Sequence, residues 1–166
     1  MAALPAPRIR PARPEDAPGL AEVLNPIIAA GGTTAMEDPL DPGTLADWFI
    51  CGPHAVMCHV AEAGDGALLG FQALSDYYPL PPGWADIATF TRQTPRRPGV
   101  GRALMAATVA QARAAGLVAL NATIRADNAG GLAFYARMGF CRYAVSPAEP
   151  LRDGTPVDRL HHRLDL

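Results

Sequence analysis

One stretch decides the predicted fold of this chain: Arg96-Arg97-Pro98-Gly99-Val100-Gly101-Arg102-Ala103-Leu104. It lies between a predicted strand and the clearest helical pattern of the sequence, so a glycine-rich turn leads directly into a helix. The first N–H groups of a helix have no partner within it, and glycines let a phosphate approach them closely. The stretch therefore predicts a pyrophosphate site. A glycine turn that only starts a helix is the alternative.

Two other phosphate-binding patterns do not fit this stretch. The Rossmann motif needs a third glycine where the chain has Leu104, and an acidic residue about twenty positions on, where it has Leu120 and Asn121. The P-loop needs a lysine, and all 14 basic residues are arginines. The same absence excludes lysine-based covalent chemistry.

A second stretch, one strand further on, narrows the interpretation. It runs Asn128-Ala129-Gly130-Gly131-Leu132-Ala133-Phe134-Tyr135-Ala136-Arg137-Met138-Gly139-Phe140. Together the two stretches resemble the GCN5-related N-acetyltransferase (GNAT) family, which has an Arg/Gln-x-x-Gly-x-Gly/Ala turn on the acyl-CoA pyrophosphate, then Asn and Tyr before a Gly-Phe pair. The matching positions are Arg96, Gly99, Gly101, Asn128, Tyr135, Gly139 and Phe140. Pro98 departs from the pattern, because it removes one backbone donor.

The resemblance implies a single acyl-CoA N-acyltransferase domain over 1–166, with 1–7 as a flexible N-terminal segment. The fold class is α/β (α+β): a mixed, mostly antiparallel central sheet flanked by about four helices, in the order β-α-α-β-β-β-α-β-α-β-β. Sequence patterns predict the first helix from Pro14, with a kink or break at Asn25 before Pro26. They place the later helices at 42–49, 99–115 and 128–138, and strands at 54–61, 67–74, 86–91, 117–124, 140–145 and 157–166.

Composition limits the class of protein. Hydrophobic residues make up 49% and charged residues 18%, which is typical of a globular domain. A net charge of −2, from 14 basic and 16 acidic residues, disfavours a nucleic-acid partner. No apolar run has the length of a signal peptide or membrane span, and the three cysteines form no CxxC pair. We therefore expect a soluble cytoplasmic protein with no membrane partner.

The resemblance also implies the cofactor and the site. Acetyl-CoA is expected as the co-substrate, attacked directly by an amine without an acyl-enzyme. The residues expected to bind it are Thr91, Arg96, Arg97, Gly99, Val100, Gly101, Arg102, Ala103, Asn128 and Tyr135. Tyr135 matches the family's acid, which protonates the leaving thiolate, and its alternative role is an aromatic core residue. Asn128 fits both a cofactor contact and a helix cap.

Asp86 is the candidate base. It lies in the strand before the glycine turn, where related acetyltransferases often carry a glutamate, and its shorter side chain predicts a bridging water. A carboxylate that bonds a nearby turn is the alternative role. Glu37 and Glu62 are weaker candidates. The histidines have no metal-ligand spacing such as HExxH, so no metal is expected.

Two loops are expected to hold the amine substrate, at about 27–38 and 76–84. Their candidate substrate residues are Thr33, Thr34, Glu37, Tyr77, Tyr78 and Trp84. The first loop resembles the branch of the family that includes phosphinothricin and amino-acid N-acetyltransferases. A small amino-acid-like amine is thus the predicted acceptor; a protein or peptide amine and a non-catalytic acyl-CoA-binding module are the alternatives. Family members often form dimers, so the resemblance also suggests a homodimer.

Overall fold

Seven strands and four helices follow one another in the computed structural model, which describes residues 5–166. The strands are β1 (Arg8–Pro11), β2 (Ala55–Glu62), β3 (Leu68–Ser75), β4 (Trp84–Thr91), β5 (Ala119–Arg125), β6 (Cys141–Pro150) and β7 (Pro156–Asp165). The helices are α1 (Ala17–Ala30), α2 (Pro42–Ala46), α3 (Val100–Ala114) and α4 (Ala129–Arg137). Residues 1–4, part of the predicted flexible segment, lie outside the described residues. The predicted order of elements is confirmed.

All seven strands form one sheet in the order β1-β2-β3-β4-β5-β7-β6. Every neighbouring pair is antiparallel except β4 and β5, which are parallel. The parallel pair needs a crossover connection, and α3 provides it. The predicted mixed, mostly antiparallel sheet is therefore confirmed.

The parallel pair opens after three residues. Trp84–Asp86 pair with Ala119–Asn121, while residues 87–91 and 122–125 do not pair with each other. Each strand keeps its antiparallel neighbour over the open part, β4 with β3 and β5 with β7. The sheet thus contains a wedge-shaped split between two well-paired halves.

Helices cover the two faces of the sheet unequally. On one face, α1 and α2 pack on β2, β3 and β4 around the buried side chains of Leu20, Leu24 and Phe71. On the other face, a second core contains Met105 of α3 and Tyr135 of α4. The α1 face of β5, β7 and β6 has no helix packed on it among the described residues. Polar side chains of these strands therefore remain accessible beside the split.

Of the predicted kink or break of the first helix at Asn25, the break is wrong. α1 continues through Pro26 to Ala30 with seven buried residues. Pro26 itself is exposed, so its ring meets no packed neighbour, while the Asn25 side chain donates to the Leu40 carbonyl and accepts from its N–H, both at 2.9 Å. Burial of the apolar face and the two Asn25–Leu40 hydrogen bonds offset the free-energy cost of the one N–H that Pro26 lacks.

The predicted helix at 42–49 is α-helical only as far as Ala46. A wider π-helical turn, Asp47–Cys51, follows it. The turn ends at Gly52, where a Cβ would lie 1.9 Å from the Asp47 carbonyl oxygen, so no other residue fits without a shift of the backbone. The wider turn directs Phe49 into the core, with its ring 5.6 Å from that of Phe71.

Among the helices of the described residues, none has the length and apolar composition needed to cross a bilayer.

Replacing Pro26 by alanine should stabilise the protein. The Pro26→Ala variant regains an N–H inside α1, and we expect its free energy of unfolding to rise by about 1–3 kcal/mol after allowance for the more flexible unfolded chain. Chemical denaturation measures this change. Pro18→Ala is the matched control, because Pro18 is exposed in the first turn, where a helix N–H has no partner. An equal effect of both substitutions would contradict our account of α1.

Candidate active site

A cleft of about 1920 Å³ runs through the split in the sheet. Its walls include the unpaired ends of β4 and β5, the start of α3, parts of α4, and the loops at 33–36 and 77–80. Sites for single drug-sized ligands are about 300–1000 Å³. The cleft is therefore large enough for two molecules to lie side by side.

The start of α3 provides backbone donors at one end of the cleft. Gly99 has a φ of 85°, a conformation that favours glycine, and it precedes the first helical residue. Val100, Gly101 and Arg102 follow in the first turn and line the cleft, so their N–H groups are available to a phosphate. The N–H of Ala103, a predicted cofactor residue, already donates to the Gly99 carbonyl at 3.0 Å. Ala103 does not line the cleft among the described residues.

Gly101 also permits close packing of α3 against α4. A Cβ at this position would lie 2.9 Å from an edge carbon of the Phe134 ring. Arg96 and Arg102 are exposed at the same end of the cleft and can reach a phosphate there. The half-buried Arg97 donates a hydrogen bond to the Pro5 carbonyl. The predicted pyrophosphate turn and its arginines therefore lie together.

Tyr135 lies on the α3–α4 face of the split. Its hydroxyl is 2.9 Å from Thr89 Oγ1, which accepts a hydrogen bond from Gln72 at 2.9 Å. Burial raises the pKa of Tyr135 further above its ordinary value, and the hydrogen bond with Thr89 opposes this. The hydroxyl thus keeps its proton at neutral pH, and Tyr135 both lines the cleft and packs in the core. The two roles predicted for it are compatible.

Asp86 lies on the opposite face of the split, at the last paired position of β4. Its Oδ1 accepts a hydrogen bond of 2.6 Å from Asn121. Burial raises its pKa from 3.8 to about 6, and the Asn121 bond lowers it only in part. Close to neutral pH, this carboxyl group can therefore accept or release a proton.

Asn121 is in turn fixed by its neighbours. Its side chain accepts a 2.6 Å bond from the Tyr143 hydroxyl and donates to Thr123 at 3.0 Å. His161 bonds both Thr123 and Ser146, at 3.0 and 2.7 Å. This polar network (Asn121, Thr123, Tyr143, Ser146 and His161) connects β5, β6 and β7 on the Asp86 face.

The loop between α1 and α2 is held close to the cleft from three sides. Asn128 accepts from the Gly131 N–H as a helix cap and donates to the Thr33 carbonyl at 3.0 Å. Arg125 donates to the Thr34 carbonyl at 3.1 Å. In the β6–β7 hairpin, Arg152 bonds Glu37 through its N–H at 2.9 Å and Asp38 through its guanidinium. Thr33, Thr34 and Asn128 all line the cleft.

The remaining predicted residues divide into two groups. Thr91, Tyr77 and Tyr78 line the cleft. Trp84 and Glu37 do not, among the described residues: Trp84 begins β4 and carries Arg163 over its ring at 5.0 Å, and Glu37 accepts from Arg152. Glu62, a weaker base candidate, pairs with Arg10 at 2.7 Å on β1. Asp86 is thus the predicted base candidate that lies in the cleft.

Sequence reasoning missed several cleft residues of the uncovered face, and five of them are Asn121, Tyr143, Arg125, Arg159 and His161. Four of them are on β5 and β7, whose alternating polar residues gave a signal that the side chains share a face. Which strand lies beside which could not be read from that alternation. Within residues 5–166, no three His, Cys, Asp or Glu side chains come together as a metal site would require.

Comparison with known proteins identifies the family. A model of the Acetyltransferase (GNAT) family matches residues 27–140. This chain belongs to that family. The prediction of an acetyl-CoA-dependent N-acetyltransferase is thereby confirmed at the level of family and enzyme class.

Two curated relatives are similar over nearly the whole chain. Both are named L-methionine sulfoximine/L-methionine sulfone acetyltransferase, one from Pseudomonas paraeruginosa and one from Pseudomonas aeruginosa. Each is 31% identical over 163 residues, which cover 95% of this chain and 94% of the relative.

Solved structures show the same fold at lower identity. A phosphinothricin acetyltransferase from Sinorhizobium meliloti, in complex with acetyl-CoA, has a TM-score of 0.82 at 19% identity, over 98% of this chain and 89% of that one. A GCN5-related N-acetyltransferase from Kribbella flavida has a TM-score of 0.82 at 24% identity, over 97% and 98%.

Removing the Asp86 charge should stabilise the fold more at high pH than at low pH. The folded-state pKa of Asp86, about 6, lies above the ordinary 3.8, so the folded state binds the proton more tightly and ionisation costs stability as pH rises between these values. The gain from Asp86→Asn should therefore be on the order of 1–3 kcal/mol larger at pH 8 than at pH 4. Denaturant unfolding at both pH values measures the difference.

Asp65→Asn is the matched control, because Asp65 is exposed in the turn between β2 and β3 and its carboxylate stays in contact with water. Its effect on the free energy of unfolding should change less between the two pH values than the effect of Asp86→Asn. A gain for Asp86→Asn that did not change with pH would contradict the raised pKa.

Proposed function

We propose that this protein acetylates the amino group of a small amino-acid-like molecule, with acetyl-CoA as donor and by direct attack. The observation that carries the proposal is the cleft through the split sheet. The start of α3, whose free N–H groups suit a phosphate, lies at one end, and Asp86 and Tyr135 lie on opposite faces of the split. The names of the two Pseudomonas relatives support an amino-acid-like acceptor.

The pyrophosphate of acetyl-CoA would bind at the start of α3. Its negative charge suits the positive helix end, the N–H groups of Val100, Gly101 and Arg102, and the side chains of Arg96 and Arg102. Beyond Asp86, the edge of β4 that faces the split has no strand partner. Its alternate N–H and C=O groups can bind the amide-rich arm of the cofactor, which would direct the thioester toward Asp86 and Tyr135.

The reaction then needs one proton acceptor and one hydrogen-bond donor. The amine nitrogen attacks the thioester carbon, the carbon–sulfur bond breaks, and a proton leaves the nitrogen. Asp86, with a pKa of about 6, accepts that proton through a water molecule. The family resemblance predicts that Tyr135 protonates the thiolate, but burial holds its pKa far above that of a thiol. We therefore assign it a hydrogen bond to the sulfur as negative charge develops there. A bond to the thiolate lowers the barrier to its departure.

The contacts between the β6–β7 hairpin and the α1–α2 loop support a small molecule, rather than a protein, as the acetyl acceptor. Arg152 ties the β6–β7 hairpin to Glu37 and Asp38 in the α1–α2 loop. Both segments border the cleft, since Thr34 and Glu149 line it. An extended peptide would need an open groove at this place, whereas a free amino acid does not.

An acetylation assay tests the function. The purified protein is incubated with acetyl-CoA and L-methionine sulfoximine, L-methionine sulfone, phosphinothricin or a short peptide, and thiol release and product mass are recorded. We expect N-acetylation of the amino-acid-like amines, little of the peptide, and a higher melting temperature with acetyl-CoA or CoA but not with NAD. Preferential acetylation of the peptide would overturn the proposed acceptor. Absence of both turnover and stabilisation by acetyl-CoA would overturn the whole proposal.

The pH dependence tests the residue roles. With Asp86 as base, kcat/KM should rise with pH through about 6, as the carboxyl group loses its proton. Asp86→Asn should remove this limb, and both Asp86→Asn and Tyr135→Phe should lower kcat by roughly 10²- to 10⁴-fold. Stabilisation by CoA should persist in both variants, as the control for cofactor binding. Unchanged turnover in either variant would show that the residue has another role.

A cytoplasmic location and a homodimer stay predictions from the sequence.

A further inference from the structure

Arg159 of β7 is a charged group of the cleft that the proposed mechanism does not use. Its side chain lines the cleft, and its Nη1 is buried. Within residues 5–166, Nη1 has no hydrogen-bond partner, and the guanidinium as a whole forms no hydrogen bond or ion pair. A buried donor on a cation is costly when nothing accepts from it, so an acceptor from outside the chain is expected.

The neighbours of Arg159 do not neutralise its positive charge. Its direct partner across the β5–β7 pair is Arg125, so the two arginine side chains leave the sheet on the same face. Arg125 is already satisfied, because Asp127 accepts from it at 2.8 and 2.6 Å and the Thr34 carbonyl at 3.1 Å. Asp127 lies near enough to Arg159 for the guanidinium to lower its pKa, but Arg125 is the larger influence. One carboxylate thus serves two cations.

Arg159 is on the same face of the sheet as Asp86. Asp86 pairs with Asn121 of β5. Residues two and four positions further along a strand share its face, so Arg125 and its partner Arg159 lie on the face of Asp86. Tyr78 lies near both groups. Burial raises the pKa of its hydroxyl, the Asp86 carboxylate raises it further, and the Arg159 guanidinium lowers it. An acidic group and a basic group therefore border the same part of the cleft.

We propose that Arg159 binds the carboxylate of the substrate, while Asp86 faces its amino group. This rests on the proposed function and deepens it, since it assigns the acceptor to free amino acids and their analogues. A guanidinium donates two parallel hydrogen bonds to a carboxylate, which fixes the molecule in one orientation. A peptide N-terminus or a simple alkylamine lacks this carboxylate, so the site discriminates against both.

The test compares an acid with its amide. Steady-state kinetics are measured with L-methionine sulfone and with its carboxamide, for the wild type, Arg159→Gln and Arg159→Lys. The wild type should prefer the acid. In Arg159→Gln, KM for the acid should rise by about 10- to 100-fold, while KM for the carboxamide and for acetyl-CoA stays near the wild-type value. Arg159→Lys, which keeps the charge, should retain part of the preference.

Arg163→Gln is the matched control. Arg163 lies on the same face of β7, but it pairs with Asp165 and lies over Trp84 rather than lining the cleft. It should keep the preference for the acid. Stabilisation by acetyl-CoA in thermal unfolding shows whether each variant is folded, and if Arg159→Gln is not, the wild-type preference and Arg159→Lys carry the test.

The outcomes separate the two proposals. A wild type that acetylates acid and amide equally well, or an Arg159→Gln variant that loses both equally or neither, overturns the role of Arg159 and leaves the proposed function intact. A wild type that binds acetyl-CoA but acetylates neither compound overturns the amino-acid acceptor, and the role of Arg159 with it.

Discussion

The separation of β4 from β5 after Asp86 and Asn121 is the constraint on which the other features depend. A sheet that loses ladder hydrogen bonds in its centre would ordinarily lose stability, because exposed N–H and C=O groups must find other partners. Here each strand is held on its outer side by a long antiparallel register, with Gly70–Ser75 along β4 and Arg159–Asp165 along β5. The split can therefore stay open, and its unpaired backbone is available to a ligand that carries amide groups.

Burial has different chemical consequences for the two ionisable groups on either side of the split. Burial raises the pKa of both Asp86 and Tyr135. For a carboxyl group the shift brings the pKa close to neutral pH, where a base is most useful. For a phenol it moves the pKa away from neutral pH, and the group remains a hydrogen-bond donor. The helix-covered face thus carries a hydrogen-bond donor, and the open face carries a group that can accept a proton.

The open face of β5, β7 and β6 carries the polar residues that an amine substrate would meet. Its network from Asn121 to His161 is satisfied by hydrogen bonds of 2.6 to 3.0 Å. Such hydrogen bonds hold side chains in fixed positions, whereas a buried polar atom without a partner is costly unless a ligand completes it. On this face, the Nη1 atom of Arg159 lacks a hydrogen-bond partner among the described residues. The positive charge of Arg159, beside Arg125, suits a negatively charged ligand group.

The sequence by itself determined the local features of this protein. The glycine turn before α3, the cap at Asn128 and the strand β4 all depend on residues close together in the chain, so local sequence patterns predicted them. The resemblance to the family predicted Tyr135 and Asp86 as site residues, because Tyr135 lies in the second motif and Asp86 in the strand before the glycine turn.

Only the tertiary structure decided the rest. The helix through Pro26 depends on Leu40 and on the buried face beneath it, and the position of Trp84 depends on Arg163 and Tyr143. The raised pKa of Asp86 requires Asn121 and the surrounding burial, and the excess charge at Arg159 requires its register with Arg125. Each of these joins residues more than ten positions apart. Local patterns fix which face a side chain takes, but only the packing of distant strands fixes what it meets there.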